Sequence, residues 1–484
     1  MISKEKQIKN SFIYILPVAI GAAIPLITLP IFTRILTKED YGILALAQVY
    51  ALFMSSLANF GLTAAYERNF FECRDEKRAA ELLYSTLLFV LATISFSGLI
   101  TYGLRDIFSR WVIGSSGYGD FLFWTYCSTS VMSLKVYFLT FFKNMEQAKP
   151  FAWYTIDETL LGVLFSLILV VYAGVGVVGL VWGQLIASLL IFSALVFRFL
   201  RVMPPAFNGL LLKDSLRLSY PLTPRIFLGV VGSQFDKYMI GLLSTLGGVG
   251  IYSIGQKVAN VTFTGMTAIQ NVFSPQVYKR MFELGDEGGD SVGRYLTPFM
   301  YISISLGLLI ALFSEEIIWL LTPKPFHGAV DIVTILSMLY GSYFFGKQPQ
   351  LIFAKKTLIT SLLTVVSIGL MIAINIPFIQ QWGAMGAAWG TLLAGIISGA
   401  ISLIVSQHYY EIRWEYGKAC CIFFIFSGSA LAMILLRHFE IPYGIRLMFK
   451  LISLAGYGYL GMKIDILTMQ NYRLVRRMLP PVRA

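Results

Sequence analysis

Charge is scarce in this chain: 13% of its 484 residues are Asp, Glu, Lys or Arg, against roughly 25% in a soluble globular domain. A surface so poor in charge excludes a water-soluble fold of this length. Histidine is nearly absent, and His327, His408 and His438 stand too far apart for a zinc spacing, so no metal site is expected. The cysteines Cys73, Cys127, Cys420 and Cys421 form neither a redox motif nor a disulfide framework. No extended nucleotide-sugar domain and no coherent acid/base constellation is visible, so neither an enzyme nor a resident cofactor is expected. The net charge of +12 comes without a nucleic-acid-recognition module, and no nucleic acid is expected as a partner.

What is present is apolar length. Hydrophobic residues make up 57% of the chain, and mean hydropathy is +0.71. Stretches long enough to cross about 30 Å of hydrocarbon as helices recur throughout. They fall near 11–36, 42–64, 84–104, 121–141, 156–174, 177–200, 215–243 and 249–273. A second group falls near 295–320, 329–352, 358–379, 384–407, 417–436 and 442–462. The expected fold class is an all-α polytopic membrane protein of about 14 transmembrane helices, with about 12 or 13 left open by the boundaries around 156–200 and 417–462. The first segment lacks a small-residue cleavage site and is read as a retained helix.

The two halves repeat each other. Tyr41-Gly42-Ile43 through Ala47-Gln48 returns as Val249-Gly250-Ile251 through Gly255-Gln256. Gly176-x-x-Gly179-x-x-Trp182-Gly183 returns as Gly383-x-x-Gly386-x-x-Trp389-Gly390. Internal repeats of membrane-length helices are the signature of transporters with a central moving site. They divide the chain into an N-terminal lobe at 1–200, a linker at 201–216 containing Pro204-Pro205 and Asn208-Gly209, a C-terminal lobe at 217–410, and an additional helix pair with a basic tail at 411–484.

With the N-terminus inside, the inner segments collect most of the basic residues, from Lys4, Lys6 and Lys9 through Arg74, Arg198 and Lys347 to the tail Arg473–Arg483. The outer segments hold Arg34, Lys38, Arg105, Arg110, Lys324 and Arg437. This bias places both termini in the cytoplasm. Topology and contact with anionic membrane lipids thereby account for the net positive charge.

Polar groups inside spans need water, a partner or a cargo. Lys135, Arg225, Asp236, Lys237, Lys257, Arg446 and Lys450 fall within or at the ends of spans. Arg225 and Asp236, about 16 Å apart along one helix face, are placed to line a single passage. Gln256, Asn260, Thr264, Thr267 and Asn271 form a polar stripe, matched through the repeat by Gln48, Leu52, Ser56, Asn59 and Thr63. The bland reading of each stripe is hydrogen bonding between helices. Pro17, Pro25 and Pro30 are expected to interrupt the first helix, and Pro221 and Pro224 the seventh.

Beyond these marks the chain resembles the polysaccharide transporter, or Wzx-type, family of lipid-linked oligosaccharide flippases, within the multidrug/oligosaccharidyl-lipid/polysaccharide exporter superfamily. The resemblance runs over roughly 5–410. It rests on Pro25-Leu-Ile-Thr-Leu-Pro30 with Arg34 and Tyr41-Gly42, on Asn59-Phe60-Gly61-Leu62 with Arg68, and on Asp236-Lys237-Tyr-Met-Ile-Gly241 followed by Val249 through Lys257. It implies two pseudo-symmetric lobes of about six helices each, with a V-shaped alternating-access cavity. It also implies movement of undecaprenyl-pyrophosphate-linked oligosaccharide from the cytoplasmic to the periplasmic or outer leaflet of the bacterial cytoplasmic (inner) membrane, for O-antigen, capsule or another surface polymer. On that reading the substrate-binding candidates are Arg34, Gln48, Asn59, Arg225, Lys237, Gln256, Lys257 and Asn260. Coupling to a sodium or proton gradient through Asp236, Asp157, Glu158 or Asp331 is a further expectation. One chain with both halves is compatible with a monomer, alone or beside a polysaccharide polymerase or glycosyltransferase. The alternatives are a lipid II flippase, a multidrug/cation antiporter and a membrane scaffold.

Overall fold

The computed structural model describes residues 4–73, 75–344 and 349–466. Arg74, Lys347 and the basic tail with Arg473, Arg476, Arg477 and Arg483 lie outside the described residues. Those described fold into helices joined by short turns, and the chain divides into two compact units, Met1–Gly250 and Ile251–Ala484. Among the described residues, the apolar stretches anticipated above are helical over most of their length. Nine segments are long and apolar enough to cross a membrane by length and composition among the described residues.

The first unit holds α1 (Lys4–Ile27), α2 (Leu29–Ile35), α3 (Lys38–Asn59), α4 (Leu62–Phe70), α5 (Glu76–Gly103), α6 (Arg105–Val112), α7 (Gly119–Asn144), α8 (Ala148–Leu167), α9 (Val178–Val202), α10 (Gly209–Ser219), α11 (Thr223–Leu243) and the start of α12 (Leu246–Leu284). Pro17 and Pro25 are carried inside α1 without ending it; the break comes at Thr28, and Pro30 stands in the first turn of α2. The seventh span is interrupted where expected: Pro221 stands in the 3-10 turn Tyr220–Leu222 between α10 and α11, and Pro224 in the first turn of α11. A proline in a first turn removes no needed donor.

α3 is the buried centre of this unit. It opens with a capping box: Thr37 Oγ1 accepts from Asp40 N at 3.1 Å, and Asp40 Oδ2 accepts from Thr37 N at 2.9 Å. It ends where Phe60 and Gly61 both turn left-handed, at φ 50° and 66°. Where α3 crosses the start of α12, repeat-related residues meet reciprocally. A Cβ on Gly42 would overlap the carbonyl of Leu246, and one on Gly250 would overlap the carbonyl of Lys38. The repeated Gly42 and Gly250 thus let two backbones touch, an isologous contact.

The second set of repeated glycines does one job twice. In α8–α9, Gly176 turns at φ 67° and Gly183 lies against the backbone of Ser166. In the second unit, α17 (Thr357–Tyr409) folds back at Gly383, φ 56°, so that Gly386 meets the Phe378 backbone and Gly390 meets Asn375. Each half therefore carries a tight helical hairpin whose seam admits only glycine.

The second unit comprises the rest of α12, α13 (Gly288–Leu312), α14 (Ser314–Leu321), α15 (Ala329–Ser342), α16 (Pro349–Phe353), α17, α18 (Tyr416–His438) and α19 (Tyr443–Lys463). Its core is α13 against α15. The fully buried Phe426 of α18 sits in a notch between Gly307 and Gly341, which draws the additional helix pair onto that core.

The compact units part after Gly250, well past the linker expected at 201–216. That segment is bound to the first unit: Asn208 N donates to Ser85 Oγ at 2.7 Å, Asn208 Nδ2 to Glu81 at 2.9 Å, and Asn69 Nδ2 to the buried Ser215 at 3.0 Å. α11 follows onto α3, with Gly241 against Leu46 and Phe227 edge-on to Phe53.

Candidate functional site

Among the substrate-binding candidates of the first unit, Arg34, Gln48 and Arg225 are exposed, on α2, on the otherwise largely buried α3 and near the start of α11. Arg34, in the last turn of α2, folds its guanidinium back along the helix to donate to the Pro30 carbonyl (2.6 Å). Gln48 and Arg225 have no side-chain partner among the described residues. Asn59 is buried, and its Oδ1 accepts from Thr63 N (3.2 Å), Thr63 Oγ1 (3.1 Å) and the Tyr137 hydroxyl (3.4 Å). That oxygen caps α4 and ties it to α7.

Asp236 and Lys237 sit together on α11. Asp236 is 4% exposed, and its Oδ1 accepts the Lys237 N–H at 2.8 Å, while Lys237 Nζ donates to Gln234 at 2.8 Å. Arg225 is exposed and Asp236 buried, so the two do not line one open face. In the second unit, Lys257 and Asn260 are exposed on α12 and Gln256 is half-buried.

The acids expected to bind a coupling ion fall into different settings. Asp157 is half-buried. Its neighbour Glu158 is buried and paired with the buried Lys135 of α7; its other oxygen accepts from Ser188 of α9 at 2.8 Å. Asp331 takes Arg437 of α18, at 2.7 Å from Nε and 2.6 Å from Nη2, and the same guanidinium donates to Thr334 at 2.9 Å.

Beside Asp331 lies a larger charged group that sequence reasoning left unassembled. Lys450 of α19 is fully buried, with Nζ 2.5 Å from Glu316 and 3.5 Å from Glu315 of α14. Arg446 lies 3.0 Å from Glu315 Oε1 as an ion pair without hydrogen-bond geometry, and the Tyr443 hydroxyl donates to Glu316 at 2.9 Å. Every base in this group, Arg437, Arg446 and Lys450, comes from the additional helix pair. Every acid, Glu315, Glu316 and Asp331, comes from α14 or α15. The available signal was the presence of Arg446 and Lys450 in an apolar span; which acids they meet depends on helices more than a hundred positions away.

Among the described residues, most of the charged groups named above are paired with other side chains, and Arg225 stands exposed. Exposed guanidinium and amide groups on apolar helices suit a passing anionic, hydroxyl-rich molecule, since Arg binds phosphate through charge-assisted forked hydrogen bonds.

Comparison with known proteins fits this layout. Residues 8–276 match the profile of the family described as polysaccharide biosynthesis protein. The probable low-salt glycan biosynthesis flippase Agl15 of Haloferax volcanii is 26% identical over 199 residues, which is 39% of this chain and 41% of that protein. Among solved structures, the lipid II flippase MurJ in an inward closed conformation superposes with a TM-score of 0.68 at 15% identity, over 95% of this chain and 100% of its own. An inward-facing multidrug resistance MATE family transporter of the MOP superfamily gives 0.62 at 14% identity, over 82% of this chain and 97% of its own. The fold is thus the multi-pass helical fold of those membrane transporters.

Proposed function

Because the chain belongs to the polysaccharide biosynthesis protein family, we propose that it is a flippase for undecaprenyl-pyrophosphate-linked oligosaccharide repeat units, moving them from the cytoplasmic to the outer leaflet for a cell-surface polymer such as O-antigen or capsule. The observation that carries the reading is the exposed Arg225, with Gln48, on membrane-length helices of the unit that matches the family. The pyrophosphate meets guanidinium, the sugars meet amides, and the polyprenyl tail stays in lipid. No bond is made or broken; the repeat-related halves alternate access to the head group. Both termini face the cytoplasm of a bacterial inner membrane, and the chain works as a monomer or beside a polymerase or glycosyltransferase.

Coupling to a proton or sodium gradient is part of the proposal, through Asp236 or Asp157. Glu158 and Asp331 are each paired with an internal cation, Lys135 and Arg437 respectively. Reconstitution in sealed liposomes tests the whole. Labelled host undecaprenyl-pyrophosphate oligosaccharide should change leaflet, with Arg225→Ala lowering the rate about tenfold or more, the worth of one charge-assisted phosphate contact. Transfer of lipid II in preference, or extrusion of hydrophobic cations without glycan transfer, would replace this reading with one of the alternatives.

A further inference from the structure

The charge pair buried deepest in the first unit suggests what occupies its carboxylate. Glu158 and Lys135 are 5% and 4% exposed, on α8 and α7. One Glu158 oxygen takes the Lys135 ammonium and the other accepts from Ser188, a residue with no exposure at all. Gln184, one turn before Ser188 on α9, donates to the Ser188 hydroxyl at 3.4 Å. Gly162, one turn beyond Glu158, makes room for it: a Cβ there would stand 2.7 Å from Gln184 Oε1. The ammonium therefore ends on a buried carboxylate whose second oxygen is held by a buried hydroxyl, with the Gln184 amide nitrogen donating to that hydroxyl from behind. Carboxylate and hydroxyl oxygens are the donors that a hard cation selects, and a buried carboxylate with no counter-charge is heavily penalised.

We infer that Lys135 is a built-in counter-ion: its ammonium fills a site, made by the oxygens of Glu158 and Ser188, that would otherwise take a small monovalent metal ion. In the wild-type chain this carboxylate is consequently closed to sodium. Shortening Lys135 opens the site, because the same oxygens remain and the buried charge needs a partner. Ion coupling, where it operates, runs through other acids. The inference does not depend on the transported substrate.

The test is thermal unfolding of the purified full-length chain at constant ionic strength, with sodium chloride exchanged for N-methyl-D-glucamine chloride. Wild type is expected to show the same midpoint in both salts. Lys135→Ala is expected to melt lower in the large-cation salt and to be raised saturably by sodium, as mass action requires of a ligand that binds only the folded state. Lys135→Ala/Glu158→Gln should lose that response. A sodium-specific rise in wild type that Glu158→Gln abolishes would overturn the inference, as would a Lys135→Ala chain indifferent to sodium. Should Lys135→Ala fail to accumulate, the double variant decides: its recovery assigns the defect to the orphaned carboxylate, as inferred, and equal failure of both refutes it.

Discussion

Replacing Lys450 with Met keeps the volume of the side chain and deletes one charge from a closed set. Around it stand Glu315 (1% exposed), Glu316, Arg446 and Lys450 (fully buried), two acids and two bases that sum to neutrality. Removing one partner of a buried ion pair costs about 3–5 kcal/mol. The low end applies here, because Glu315 keeps Arg446 at 3.0 Å and Glu316 keeps the Tyr443 hydroxyl at 2.9 Å. Lys450→Met should therefore destabilise the second unit by about 3 kcal/mol, roughly a hundredfold in the folded-to-unfolded ratio. The geometry also names the rescue. Glu316→Gln returns the set to neutrality, leaves the Glu315–Arg446 pair whole and keeps an acceptor for Tyr443. Glu315→Gln restores the same net charge but strips Arg446 of its partner. Unfolding in graded SDS, followed by tryptophan fluorescence, should then rank the chains as wild type, Lys450→Met/Glu316→Gln, Lys450→Met/Glu315→Gln, Lys450→Met. A Lys450→Met chain within about 0.5 kcal/mol of wild type, the range of a neutral surface substitution, would refute the account, as would equal rescue by the two glutamines.

Gly250→Leu should abolish accumulation of folded protein, since its Cβ alone overlaps the Lys38 carbonyl, whereas Gly21→Leu, with open space around it, should be tolerated; membrane abundance reads both. Asn59→Ala should cost about 1–2 kcal/mol, the worth of a helix cap, and lower transport only in proportion to the folded protein that remains. A transport loss at full stability would instead make Asn59 a sugar ligand. At Glu415, which heads α18, burial pushes the carboxyl upward, but hydrogen bonds to Lys418 and Thr297 and the nearby cations outweigh it and hold the carboxyl below its ordinary range. A group depressed in the folded state contributes stability above its unfolded pKa and loses it as pH falls through the folded value. The acid limb of a melting-temperature profile should therefore flatten in Glu415→Gln.

Some paired residues were legible in advance and some were not. Gly42 and Gly250 announced themselves through the repeat, and their reciprocal contact follows from small residues at equivalent positions in duplicated helices. Lys135 and Glu158 were each visible as polar groups in or beside apolar stretches, but nothing in their spacing joins them, because they meet across separate helices. Asn59 looked like one member of a polar stripe, yet its oxygen is consumed by the left-handed turn beside it, a local effect that periodicity does not register.

By itself the sequence determined the class of molecule: charge scarcity and apolar length dictate helices in a membrane, since only internally hydrogen-bonded segments survive in hydrocarbon, and duplicated glycines dictate where those helices touch. Which acid meets which base was decided only by the tertiary structure. Ion pairing acts over a few ångströms of space and carries no trace along the chain, so the closure of Glu158 by Lys135, and of Glu315 and Glu316 by Arg446 and Lys450, exists only once the helices have packed.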